Sequence, residues 1–276
     1  MVDPLNNNLA EIHPRRFGRP RASDCVDLHC HCLPRLDDGP ATLTGALNLC
    51  RALVDDGITM VVASPHQLGR YEGCNSPAIV RKAVAELNET LGAEAIPLTV
   101  FPGADVRLDE RIPKFCDTDG VLTVGDCRQY LMLELPHEAF IDVTPLLNDL
   151  RPRGLRIILS HPERNGSLTP QAVAQWVDSG AVLQVTAASL IGDFGPAAEC
   201  AAWYWLTFSA VALVATDAHD TSGRRPRMSD AFALIAARLG HNAARRACID
   251  NPLRVLAGQE LSTMAGWTRA KEDACK

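Results

Sequence analysis

The chain has 276 residues, 47% of them hydrophobic and 22% charged, with a formal net charge of −6 and a pI near 5.7. That length and composition can fill the core of one large α/β domain or two small ones. The acidic balance argues against a sequence-independent nucleic-acid binder, which needs basic surface to displace counterions from phosphates.

Residues 1–22, "MVDPLNNNLAEIHPRRFGRPRA", are rich in Asn, Pro and Arg and lack periodicity, which predicts a disordered leader. The N-terminus lacks a signal peptide's apolar region, and no later stretch is apolar for the length of a membrane span. The expected location is therefore the cytoplasm, without direct membrane insertion.

From residue 25 onward, seven short runs rich in β-branched or apolar residues each close on polar ones: "CVDLHCHC" from 25, "ITMVVASPH" from 58, "PLTVFPGAD" from 97, "YLMLELP" from 130, "RIILSHPE" from 156, "AVLQVTAAS" from 181 and "VALVATDAH" from 211. Most carry too few alternating polar positions to be half-exposed, as in strands of a parallel sheet buried on both faces. Helical patterns fill the gaps. "TLTGALNLCRALVDDG" has apolar residues at helical spacing and ends on Gly57, while "LTPQAVAQWVDSG" starts with Thr169 as N-cap and Pro170 at the first helical position, stopping at Gly180. "PAAECAAWYWLTF" predicts an apolar helix with Trp203 and Trp205 in the core. Seven alternations predict a βα barrel or a closely related α/β fold, one domain over 23–262 followed by a tail at 263–276.

The ten cysteines form no C-x-x-C pair, so reduced, mostly buried thiols are expected. "CIDNPLR", Cys248 to Arg254, matches C-x5-R, the pattern of cysteine-dependent phosphatases. Such a loop cradles phosphate with backbone N–H groups, but Pro252 has none to give and no Gly lets it curl, so a helix end is predicted.

Metal-capable side chains fall at the C-terminal ends of the runs: His29 and His31, His66, Asp105, Glu134, His161, then Asp217 and His219. Parallel barrels assemble their active sites at that end. The two-residue period of a strand predicts Asp27, His29 and His31 on one face, toward the mouth, with Leu28, Cys30 and Cys32 on the other. So many converging ionisable groups would repel and desolvate one another without cations. Asp38, in Asp37-Asp38-Gly39-Pro40, reads equally as a turn residue or a ligand. His13, His137 and His241 read as surface or loop residues. Imidazole plus carboxylate suits Mn, Fe or Zn and hydrolytic chemistry.

"DLHCHCLPRLDDGP", "SPH", "GAD", "LELP", "SHPERN", "QVTAASL" and "TDAHD", in this order over about 25–258, resemble the PHP (polymerase and histidinol phosphatase) superfamily. They look most like its bacterial CpsB/CapC/YwqE branch of manganese-dependent protein-tyrosine phosphatases. The resemblance implies a single-domain, distorted (β/α)7 barrel, TIM-like, holding two to three divalent metal ions, manganese first, with iron or zinc as alternatives. By position, His29, His31 and Asp217 would hold the first metal, and Asp105 would reach both it and a second held by Glu134 and His161. Asp38, His66 and His219 would hold the third, and Arg164 and Arg224 would contact the phosphoryl group. One departure is visible, since the bridging position is usually Glu and Asp105 is shorter by one C–C bond, about 1.5 Å. The implied substrate is a phosphotyrosine protein, a membrane-associated tyrosine autokinase that regulates exopolysaccharide or capsule synthesis. The alternatives are a small-molecule phosphatase, such as one for histidinol phosphate, and a non-catalytic metal-binding regulator.

Overall fold

The computed structural model describes residues 25–137, 139–208 and 212–261, so the predicted leader and the tail from 263 lie outside the described residues. The seven runs appear as nine strand segments: β1 (Cys25–Cys30), β2 (Ile58–Ala63), β3 (His66–Gln67), β4 (Thr99–Pro102), β5 (Asp105–Arg107), β6 (Tyr130–Glu134), β7 (Arg156–Ser160), β8 (Val182–Thr186) and β9 (Ala212–Ala215). The second run is broken at Ser64-Pro65, where proline has no N–H for the ladder, and the third at Gly103-Ala104. All pairings are parallel, in the orders β1-β2-β4 and β3-β5-β6-β7-β8-β9. The circle closes where His31 N donates to Ala218 O (2.9 Å) and Asp217 N to His29 O (2.7 Å), joining the first run to the last.

The predicted helices form at Leu43–Asp55, Pro170–Asp178 and Pro196–Phe208. Thr169 caps its helix, its side chain accepting from Ala172 N at 3.2 Å, with Pro170 in the first turn. Trp205 is buried, and the half-buried Trp203 donates Nε1 to Leu190 O. Cys248 is buried in a single π turn, Arg246–Asp250, that runs into the helix Asn251–Leu256. The C-x5-R segment is helical throughout and offers no phosphate cradle.

Two apolar layers result. Leu131, Leu133, Ile157, Leu159, Leu183 and Val214 face the surrounding helices. Val26, Leu28, Met60, Val62, Tyr130, Met132, Ile158, Val182 and Leu213 fill the barrel, closed below by Val255 and Leu256 of the last helix. Two residues further along the same inward faces the side chains turn polar: Val62 to Ser64, Met132 to Glu134, Ile158 to Ser160, Val182 to Gln184. The strand period thus carries a dry plug directly into a polar mouth.

The alternation predicted for 27–32 needs correction. Asp27 pairs with Val61 and Cys30 with Ala63, so Leu28 and His29 together oppose Val62 in a β-bulge. Leu28 consequently packs inside the barrel beside His29, while Cys30 and Cys32 join the outer layer as expected. Asp27 does not reach the mouth. It is fully buried and accepts from Thr216 N (2.9 Å) and His29 N (3.2 Å), tying β1 to the end of the last run.

Candidate metal centre at the barrel mouth

The mouth is built from strand ends that bend as they deliver their side chains. His161 (φ 35°) and Asp217 (φ 52°) both adopt the left-handed conformation, which non-glycine residues hold only where the surroundings impose it. Gly39 is fixed by close approach, since a Cβ there would lie 2.3 Å from His31 O. Its turn brings Asp37 and Asp38 back over the end of β1.

Four groups of side chains each bring ligand-capable atoms within 4.8 Å of one another: His31, Asp38, His66 and His219; His29, His31 and Asp105; His29, His161 and Asp217; His66, Asp105 and Glu134. Together they contain all nine side chains singled out as metal ligands. The partition differs from that implied by the resemblance, because Glu134 groups with His66 rather than with His161. Asp105 belongs to two of the groups despite its short side chain.

Orientation comes from oxygen acceptors around the rings. Gln184 Oε1 lies 2.9 Å from His29 Nδ1, Asp37 Oδ2 lies 2.5 Å from His31 Nδ1, and Asp217 O lies 2.9 Å from His219 Nδ1. Each pairing holds a proton on Nδ1 and turns Nε2 inward. Asp37 also accepts from His66 N (3.1 Å) and Gly39 N (3.0 Å). Sequence reasoning missed Asp37 and Gln184. The doubled Asp before Gly39 was a signal for the first, whereas the second required the inward face of β8 to be known.

Charge at the mouth is unevenly held. Burial pushes the His29 imidazole down to about 3 and His66 to about 4, and it also lowers His161 and His219. Neutral imidazole is the ligand form. Burial opposes charge on His31 too, but Asp37 and Asp217 outweigh it and raise that ring to about 10. Burial would raise Asp217, yet Arg164, His29 and Arg224 hold it well below the ordinary range. Asp105, fully buried and beside Glu134, is driven well up.

Asp105 tests whether these residues fit cations. Its Oδ1 accepts from Ser160 Oγ (2.9 Å), while its Oδ2 is buried with no hydrogen-bond partner. Around Oδ2 lie His66 Nδ1 at 3.5 Å, His29 Nε2 at 3.6 Å and His161 Nε2 at 3.9 Å. An orphaned buried carboxylate oxygen facing imidazole nitrogens is costly alone and fits divalent cations.

Arg164 and Arg224 both reach Asp217 Oδ2 through Nη2, Arg164 at 2.5 Å. Arg224 Nη1 also meets His219 Nε2 at 2.9 Å. The Nε atoms of both arginines are buried without partners. Arg107 pairs with Glu134 at 3.1 Å, and His137, expected to be a bland loop residue, is half exposed yet approaches Glu134 at 3.4 Å and stacks on His161. Glu163, in "HPERN", serves the scaffold by accepting from Thr186 N and Ser189 Oγ, both at 2.8 Å.

The family model for capsular polysaccharide synthesis proteins, CpsB/CapC, matches residues 25–257. Among characterised relatives, the tyrosine-protein phosphatase YwqE of Bacillus subtilis is 32% identical over 219 residues, 78% of this chain and 85% of that protein. A putative tyrosine-protein phosphatase CapC of Staphylococcus aureus is 29% identical over 72% of this chain and 78% of its own. CpsB of Streptococcus pneumoniae is 22% identical, over 85% and 99%. A crystal structure from work on YwqE and CpsB, described as unique metal-dependent tyrosine phosphatases, superposes with a TM-score of 0.82 at 29% identity, covering 86% of this chain and 96% of the other.

Proposed function

Because this chain belongs to the CpsB/CapC family of capsular polysaccharide synthesis proteins, we propose that it is a metal-dependent protein-tyrosine phosphatase and that its mouth performs phosphomonoester hydrolysis. The observation that carries the site assignment is Asp105 Oδ2, buried, partnerless and ringed by three imidazole nitrogens. His29, His31, Asp38, His66, Asp105, Glu134, His161, Asp217 and His219 are the ligands of two to three divalent ions, with manganese the metal proposed. When bound, such ions neutralise phosphoryl oxygens and lower the pKa of water enough to supply a nucleophile near neutral pH.

The chain's own residues do the rest. Gln184, Asp37 and the Asp217 carbonyl hold three imidazoles in one orientation through Nδ1, so these rings need not reorganise during turnover. Asp217 anchors Arg164 and Arg224, whose guanidinium groups are placed to neutralise equatorial phosphoryl oxygens, where charge spreads in the transition state. A tyrosine phenolate, with a reference pKa near 10, leaves far more readily than a serine alkoxide, so a site with little general-acid help favours phosphotyrosine. The natural substrate proposed is the phosphorylated tail of a membrane-associated tyrosine autokinase. Among the described residues no helix is long and apolar enough to cross a membrane.

The test strips metals and restores Mn, Fe, Zn or Mg one at a time, reading hydrolysis of a phosphotyrosine peptide together with elemental analysis. Activity should vanish on stripping and return best with Mn. Full activity in metal-free protein would overturn the reading, and better turnover of histidinol phosphate than of the peptide would move the substrate to small metabolites.

A further inference from the structure

Among the described residues, the exposed large hydrophobic side chains are Leu43, Ile79, Phe140, Ile141 and Phe194. All five lie toward the mouth. Leu43 and Ile79 occupy the first turns of the helices that follow β1 and β3, and the other three sit in the loops after β6 and β8. In a parallel barrel those positions share the end where the strands finish.

Phe194 touches a site residue, and Phe140 and Ile141 share a loop with another. The Arg164 guanidinium lies 4.6 Å from the centroid of the Phe194 ring, which remains 38% exposed. Phe140 and Ile141, 50% and 45% exposed, share their loop with His137, which meets Glu134 and His161. The loop is braced, because Phe140 stacks on Trp176 with centroids 5.9 Å apart and Trp176 Nε1 donates to Asp142 Oδ1 at 2.8 Å. An apolar platform beside a catalytic mouth, held in place yet half in water, marks a contact surface.

We propose that Phe140, Ile141 and Phe194 form a docking lip for apolar residues flanking the phosphotyrosine of a peptide substrate, an inference that rests on the phosphatase reading above. A phosphotyrosine held at Arg164 places its neighbours over this lip, since an extended peptide advances about 3.3–3.6 Å per residue. Charge selects among occupants. Asp142 adjoins the Phe140-Ile141 pair, and Asp193 beside Phe194 is paired with Arg227 at 3.1 Å. An acidic flank or an anionic lipid surface meets carboxylates there, whereas a neutral apolar flank meets none.

The test uses the Mn-loaded full chain and the double variant Phe140→Ser/Ile141→Ser. Turnover is read on free phosphotyrosine, on a phosphotyrosine peptide with Leu and Val flanks, and on one with Asp and Glu flanks. For the apolar-flanked peptide kcat/KM should fall about tenfold, through KM, given the apolar area lost. Free phosphotyrosine should stay within about twofold and the acidic peptide, already poor, should not change, while Phe140→Leu/Ile141→Val should restore the wild-type value. An unchanged apolar peptide, an equal loss on free phosphotyrosine, or a wild-type preference for acidic flanks would overturn the proposal. So would binding of the wild type to anionic vesicles, or its self-association, if the double variant abolished it. A wild type inactive on all three substrates would instead bring down the phosphatase reading.

Discussion

Gln184 shows how much of the mouth depends on side chains that hold no ligand atom. Its amide oxygen fixes the His29 ring through Nδ1, and its own Nε2 is buried without a partner. Replacing it with leucine should leave the fold intact but weaken metal retention about 10- to 100-fold, the usual effect of losing a ring-orienting partner. Equilibrium dialysis against graded Mn, read by metal content, checks this, and unchanged retention would mean that His29 needs no orienting oxygen. Cys248 argues the opposite case. It sits in the core, where burial raises its thiol well above the ordinary range, and no loop surrounds it. Cys248→Ser should therefore keep kcat within about twofold, a far smaller change than the loss of a nucleophile causes.

At the level of elements, Gly103 decides whether the second and third runs can pack. A Cβ at that position would lie 2.5 Å from Val62 Cγ1, inside the barrel and just below Asp105. Gly103→Ala should cost about 1–3 kcal/mol by overpacking, and Val62→Ala in the same chain should recover much of it. Urea denaturation of the four proteins in the cycle measures the coupling, and purely additive losses would show that the contact is not what constrains the glycine. The seven runs, their order along the chain and the polar switch at their ends were all legible in the sequence, because each buried strand is an apolar stretch that closes on polar residues. The bulge at Leu28-His29 was not. A doubled residue leaves no trace in the pattern when both neighbours are buried, and so Asp27 read as a mouth residue although it is a brace to Thr216. The role of Glu163 was hidden in the same way, since its partners Thr186 and Ser189 belong to the next run and its helix.

For the molecule as a whole, gathering so many ionisable groups at one end makes stability and loading a single property. Ligands that bind only the folded state stabilise it by mass action, about 2.7 kcal/mol at a hundredfold excess over Kd. For a domain of this size each kcal/mol moves Tm by about 2–4 °C, so chelation should lower Tm by roughly 5–10 °C and Mn should restore it. Differential scanning calorimetry with and without chelator checks this, and an unchanged Tm would argue that the cluster holds no ion in the folded protein.

Val255 and Leu256 seal the barrel floor beneath Val26, Leu28 and Met132. With that floor shut, inorganic phosphate released from the reaction must depart by the same doorway through which the next phosphoryl group arrives. Departure and arrival are then mutually exclusive events, so added phosphate should act as a purely competitive inhibitor, raising KM without lowering kcat. A mixed pattern in steady-state kinetics would reveal a second way out.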